Sequence, residues 1–332
     1  MAAKGAEMDI AVWGTGSYVP ERVVDNDEVG ARAGVDDAWI TAKTGIKERR
    51  WVADDQATSD LAIAAARAAV ASAGVAVEDL TAVIVATSSP DHPQPPTAVY
   101  VQNALGAVNA AAFDMNAVCS GFVFATAVAS RMIAGGGGHA VVIGADVYSR
   151  VLNPEDRRTV VLFGDGAGAV VLGPAKSKGH GVVATQLHTF GDMNDRIIVP
   201  AGGSRIPMED RHYETGLAYF TMQGRAVKEF VLEQLPPMVE EFLASAGVSP
   251  EEVDHFVPHQ ANGLMLAELL PALKLSRATM HDTVQRYGNT GAASVGITLD
   301  DAARAGRLQP GDLILLAGFG GGMAAGLALL RW

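Results

Sequence analysis

The chain has one cysteine in 332 residues, few aromatics (6%) and little charge (19%), and its 25 Lys and Arg are outnumbered by 37 Asp and Glu. Each scarcity removes a class of protein. A single thiol excludes an internal disulfide and any cysteine-cluster metal site, and it fits a reducing cytoplasm. A net charge of −12 without a basic run argues against a nucleic-acid partner. The basic residues that do gather (Lys43, Lys47, Arg49 and Arg50; Arg157 and Arg158) suit a phosphorylated cofactor or an acidic partner, or are plain solvated charges. Met1 to Met8 is short and polar and lacks the apolar segment of a signal peptide. Leu313 to Leu330 carries no charge and reaches the lower length for a membrane span, but glycines at 318, 320, 321, 322 and 326 interrupt it. Two buried strands joined by a glycine turn fit it better.

What is abundant is small and apolar. Hydrophobic residues make up 49% and there are 37 glycines, the composition of a core-rich globular chain with close backbone packing. Apolar runs at Ile10–Trp13, Leu80–Ala86, His139–Gly144, Thr159–Phe163 and Ala169–Leu172 read as strands. Asn26–Ala33, Asp36–Thr44, Ser59–Gly74, Ala98–Leu105, Phe122–Ala134 and Gln223–Ala246 read as helices, the last with Pro236 and Pro237 inside it. Pro90 to Pro96 is too rich in proline for helix or central strand and must be a loop. Gly14-Thr15-Gly16 is only a fragment of a nucleotide-binding fingerprint, because Val19 stands where a further glycine or alanine belongs.

The segment Ala71–Leu80 resembles Ala244–Val253, at an offset of 173. The same offset carries Val141–Ile143 onto Ile314–Leu316 and the Cys119 region onto Gly291–Ala293. One offset fits three places, so the chain reads as two similar α/β halves, residues 1–178 and 179–332. Related halves packed about a pseudo-twofold bring equivalent loops face to face. The Cys119 loop of the first would meet Pro258-His259-Gln260-Ala261-Asn262, Gly288-Asn289-Thr290-Gly291 and Phe319-Gly320-Gly321-Gly322 of the second.

Cys119 stands just before a helix, where dipole and free N–H groups favour thiolate; the bland alternative is a small buried hydrophobe. A sulfur nucleophile, an imidazole and a carboxamide form a coherent set. Cys119 can take an acyl group, His259 Nε2 and the Asn289 amide can donate to one developing oxyanion, and the Cys119 and Gly321 backbone N–H groups can serve a second. Taken singly, His259 could be a satisfied core histidine and Asn289 a turn residue.

Together with Trp39–Arg50, Asp156-Arg157 and Phe163-Gly-Asp-Gly-Ala-Gly168, these motifs resemble the β-ketoacyl-acyl-carrier-protein synthase III family of the thiolase-like superfamily, over nearly the whole chain. The resemblance implies a five-layered αβαβα fold, a cytoplasmic homodimer, no cofactor and no metal. It implies a decarboxylative Claisen condensation. An acyl-CoA primer would acylate Cys119, and malonyl-acyl carrier protein would lose carbon dioxide, its enolate held by His259 and Asn289. The product is a 3-oxoacyl thioester for fatty acid or polyketide-type synthesis. It also implies substrate-binding positions at Trp39, Lys43, Gln94, Arg157, Phe163, Gly224, Asn262 and Phe319.

Several positions depart from the family pattern. Leu264 stands where a basic residue often docks the carrier, Lys43 replaces an arginine, Lys228 replaces an apolar residue, and the Pro90–Pro96 loop is polar. An unusual primer is the expectation these raise. Thiolase chemistry needs a second cysteine, and hydroxymethylglutaryl-CoA synthase a glutamate base. The rival on the same scaffold is an acyltransferase that passes the Cys119 acyl group to an alcohol or amine. The rival of another class is a non-catalytic carrier-binding subunit.

Overall fold

The computed structural model describes residues 9–177 and 179–332. The first half runs β1 (Ile10–Tyr18), β2 (Val23–Asp25), α1 (Asn26–Ala33), α2 (Asp37–Thr44), β3 (Glu48–Arg50), α3 (Thr58–Ala73), β4 (Leu80–Ala86), α4 (Thr97–Leu105), β5 (Ala111–Met115), α5 (Gly121–Ala134), β6 (His139–Asp146) and β7 (Gly166–Pro174). The second runs β8 (Gly181–Thr189), β9 (Ile197–Ile198), α6 (Arg211–Glu214), β10 (Thr221–Met222), α7 (Gly224–Ser245), β11 (His255–Pro258), α8 (Gly263–Ala272), β12 (Thr279–Met280), α9 (Val284–Tyr287), α10 (Ala293–Arg304), β13 (Leu313–Gly320) and β14 (Ala324–Arg331).

Local chemistry sets the helix ends. Asp25 and Asp36 accept backbone N–H groups of Glu28 and Trp39 at 2.8 Å, and Gly34 and Gly45 close the same two helices in the left-handed conformation. Each side-chain cap of this kind stabilises a helix by about 1 kcal/mol.

Two five-stranded sheets repeat one pattern: β5-β4-β6-β7-β1 and β12-β11-β13-β14-β8. In each, the first three strands are parallel, the fourth runs antiparallel to them and the fifth antiparallel to the fourth. Helices α5 and α10 lie between the sheets, inside a core drawn from both: Phe122 and Val123 with Val295 and Leu299, Ile84 and Val142 with Val257 and Leu316. A second core covers the outside of the first sheet with α3 and α4 (Leu61, Val101 and Val83), and a third covers the second sheet with α7 and α8 (Val239, Leu269 and Leu315). The result is the five-layered αβαβα duplication. Met1 to Met8 and Lys178 lie outside the described residues, and with them the sequence expectations for the leader and for one side of the division at 178 and 179.

Gly14-Thr15-Gly16, too incomplete for a nucleotide fingerprint, continues β1; the glycines let α3 approach, since a Cβ on Gly14 or Gly16 would lie 2.4 Å from Ala73 N or 2.3 Å from Ala69 N. Two expectations are corrected. Thr159–Phe163 is a run of turns ending in a bridge of Phe163 with Asn289. Its apolar side chains bury in a local cluster with Tyr148, Leu152 and Phe220, which satisfies their hydrophobicity without a ladder. Arg49 belongs to no surface patch: it is fully buried and donates to Asn26 Oδ1 at 2.8 Å and the Val161 carbonyl at 2.7 Å.

Candidate active site

Parallel strands leave their C-terminal ends on one side, and the helices that follow start there. Cys119 sits in a short 3-10 turn, Val118–Ser120, between β5 and the first residue of α5. Val118 before it has φ 47, a left-handed conformation that a β-branched residue adopts only when its surroundings hold it there. The end of β13 presses on this turn. A Cβ on Gly320 would lie 2.6 Å from Cys119 Cβ, and one on Gly318 would lie 2.9 Å from Ser120 Cα. Gly321 follows, next to the Val118 side chain.

Cys119 is 5% exposed. Burial, and after it the charge of Asp146, pushes the thiol up to about 12, against the pull of the Tyr148 hydroxyl that hydrogen-bonds it. Desolvation thus opposes the pull toward thiolate expected at a helix N-terminus. The Tyr148 ring stacks on Phe163 at 4.7 Å, and its hydroxyl pairs with Ser88 Oγ at 2.8 Å.

His259 follows β11 and is held by its backbone N–H to the Ala317 carbonyl at 2.7 Å. Its ring is buried edge-on against Phe319 at 5.2 Å, with Nδ1 2.7 Å from Ser294 Oγ. Burial pulls it down to about 3, so the imidazole is neutral at any ordinary pH. Asn289 is fixed by its main chain to Leu162 and Gly164, at 2.8 and 3.0 Å. Its Oδ1 accepts the Gly291 N–H at 2.9 Å, which leaves the amino group as the free donor. Asp146 anchors this loop to the first half: Oδ2 accepts the Ala292 N–H at 2.8 Å while Oδ1 accepts Ser88 N at 2.8 Å.

The other expected positions divide. The Arg157 guanidinium lies over the Trp39 ring at 5.7 Å. Asn262 joins the end of α2 to the start of α8, donating to the Lys43 carbonyl at 3.1 Å and accepting Leu264 N at 2.9 Å. Lys43 is exposed on the last turn of α2. Phe163 and Phe319 are core residues. Gly224 opens α7 in an exposed position, and Gln94 is exposed in its loop. A cavity of about 650 Å³ beyond Tyr148 is lined by Pro90 to Pro93, Val118, Val151, Ile198, Met208 and Phe220, but not by Gln94 or Cys119. Tyr148, Asp146, Ser88 and Ser294 escaped sequence reasoning, because no spacing or motif marks a residue that meets Cys119, His259 or the Asn289 loop only in three dimensions. Among the described residues no group of three His, Cys, Asp or Glu could hold a metal ion, and no helix is long and apolar enough to cross a membrane.

Fold and site together define a thiolase-like acyltransferase with one cysteine. The family description "3-Oxoacyl-[acyl-carrier-protein (ACP)] synthase III" matches residues 113–191 and its C-terminal counterpart matches residues 243–332. Acetoacetyl CoA synthase NphT7 of Streptomyces sp. (strain CL190) is 63% identical, over 96% of this chain and 97% of that protein. The β-ketoacyl-[acyl-carrier-protein] synthase III of Caldanaerobacter subterraneus subsp. tengcongensis is 41% identical, over 97% of each. The crystal structure of 3-oxoacyl-(acyl carrier protein) synthase III from Pseudomonas aeruginosa PAO1 aligns with a TM-score of 0.88 at 38% identity, covering 98% of each chain. The chain belongs to the 3-oxoacyl-[acyl-carrier-protein] synthase III family. Its reaction is the decarboxylative Claisen condensation of an acyl-CoA with a malonyl thioester, in fatty acid or polyketide-type biosynthesis.

Proposed function

We propose that the chain condenses acetyl-CoA with malonyl-CoA to give acetoacetyl-CoA, free CoA and carbon dioxide. The 63% identity to a protein named for acetoacetyl CoA carries this reading; a product held on CoA calls for an extender on CoA. The face around α8 supports it. Leu264 is 43% exposed where a carrier-docking cation was expected, Lys228 is engaged by Glu268 at 2.7 Å, and Lys274 by Glu240 at 3.4 Å. Acetyl is also the primer that suits the pocket, because Tyr148 closes off the space next to the thiol, where a polar loop had suggested an unusual primer. Malonyl-acyl carrier protein is the second reading, favoured by relatives such as the 41% identical carrier-protein synthase.

Chemically, the Cys119 thiol adds to the acetyl thioester carbonyl, the bond to CoA sulfur breaks, and the thiol proton leaves as CoA–SH. The malonyl carboxylate then departs as carbon dioxide. Its electron pair moves onto the thioester oxygen, which accepts from the His259 imidazole and the Asn289 amino group. The enolate carbon attacks the acetyl carbonyl, whose oxyanion is held by the Cys119 and Gly321 N–H groups; Cys119 leaves as the thiolate and takes one proton from water to restore the thiol. Trp39 with Arg157, Lys43 and Asn262 serve the CoA arm. No cofactor enters these steps. The chain acts in the cytoplasm, where CoA thioesters are found, as a homodimer.

The purified protein is incubated with acetyl-CoA, and intact mass is read. Malonyl-CoA or malonyl-acyl carrier protein is then added, and carbon dioxide is measured. An acetyl adduct absent in Cys119→Ala, followed by carbon dioxide release with malonyl-CoA alone, is the expected result. Release only with the carrier-bound extender overturns the CoA reading. An adduct without any release points to plain acyl transfer to an alcohol or amine.

A further inference from the structure

Which ring nitrogen of a neutral histidine carries the proton is set by what the other nitrogen meets. His259 Nδ1 meets Ser294 Oγ at 2.7 Å. Ser294 stands in the first turn of α10 and is 1% exposed. Its oxygen also faces the Gln260 backbone N–H at 3.3 Å. A backbone N–H can only donate, so it takes up one acceptor site of the hydroxyl. The hydroxyl hydrogen needs an acceptor, and among the described residues His259 Nδ1 is the one it has. The opposite assignment would put a hydrogen on Nδ1, make Ser294 accept twice and leave its buried O–H with nothing to donate to, an unmade bond that folded proteins avoid.

We propose that Ser294 is a positioning residue for the condensation: it donates its hydroxyl hydrogen to His259 Nδ1 and so fixes the proton on Nε2, the nitrogen left for the substrate. The inference rests on the reading that His259 donates to the malonyl-derived enolate. It also separates the two half-reactions. A ring protonated at Nε2 has no lone pair there to take the Cys119 proton, so acylation proceeds with that proton passing to the departing CoA sulfur. Only the decarboxylation uses the tautomer that Ser294 selects.

Two measurements on the full chain test this. In 15N-histidine-labelled protein, His259 (assigned by its absence in His259→Gln) should show a bare, hydrogen-bond-accepting Nδ1 and a protonated Nε2. A protonated Nδ1 overturns the proposal, whatever the reaction turns out to be. Ser294→Ala should then lose the single-tautomer signature. Its carbon dioxide release from malonyl-CoA should fall on the order of ten- to a hundredfold, less than removal of an oxyanion donor itself. Its rate of Cys119 acetylation should stay within about twofold of the unmodified protein, and Ser294→Thr, which keeps the hydroxyl, should restore the release. Equal losses in both half-reactions, or an unchanged release, count against Ser294. A parent protein that acetylates but never releases carbon dioxide defeats the condensation reading instead, and leaves the nitrogen spectrum to decide the tautomer. Alanine is the best helix former, so the fold of Ser294→Ala should hold.

Discussion

Gly320 and Cys119 are in contact across the two halves of the chain: a Cβ on the glycine would fall 2.6 Å from the cysteine Cβ and 3.1 Å from its sulfur. No real Cβ tolerates such a contact, and the neighbour is the turn that holds Cys119. Gly320→Ala should therefore shift Cys119 without emptying the core. Acetylation followed by intact mass should slow by at least about tenfold, the scale of a sub-ångström misplacement, while thermal melting changes little. Wild-type acetylation in this variant would show that the turn is free to move.

Tyr148 hydrogen-bonds the Cys119 thiol and lines a cavity of about 650 Å³ that Cys119 itself does not line. Tyr148→Leu removes the ring end and the hydroxyl that touches Cys119. Longer acyl-CoAs should then leave adducts on Cys119 that they do not leave on the parent chain. A panel of even-chain acyl-CoAs read by intact mass gives the answer, and an unchanged acetyl preference means the wall lies elsewhere. Loss of the stack on Phe163 should cost about 1 kcal/mol of stability.

The thiol held up to about 12 makes a pH prediction. Alkylation of Cys119 by iodoacetamide needs the thiolate. Its rate should climb steadily from neutral pH through 10, where an ordinary thiol has already levelled off. A plateau below pH 8 would falsify the buried-thiol state.

His259 gives the opposite limb. Its folded value of about 3 lies below the ordinary 6.5, so protons bind the unfolded chain first. The stability it contributes is full above about 6.5 and is lost as pH falls toward 3. Urea melts at pH 7 and pH 4 should show His259→Gln losing less stability on acidification than the parent. A parallel loss in both would place the proton uptake elsewhere.

Asn289 is oriented by Gly291, which occupies its oxygen. Asn289→Ala should leave Cys119 acetylation intact and lower carbon dioxide release about a hundredfold or more, the usual effect of deleting one oxyanion donor. Equal slowing of both steps would assign Asn289 to the loop rather than to the chemistry.

Much of this architecture was legible in the sequence. Asn26–Ala33 and Leu80–Ala86 match the observed elements, because apolar periodicity and capping residues act over a few neighbours. The 173-residue offset announced the duplication, and the uncharged C-terminal run was read as β13 and β14 around a glycine turn. Chemistry-bearing residue types at strand ends singled out Cys119, His259 and Asn289 as candidates. The tertiary structure decided everything that depends on residues far apart in sequence. Thr159–Phe163 looked like a strand, but its side chains found a local cluster. Cys119 looked like a thiolate from its place at a helix start, yet burial and the neighbouring Asp146 push its thiol the other way. Tyr148 and Ser294 belong to the same category. Pattern along the chain reports local geometry; the environment of a buried group is a property of the assembled layers.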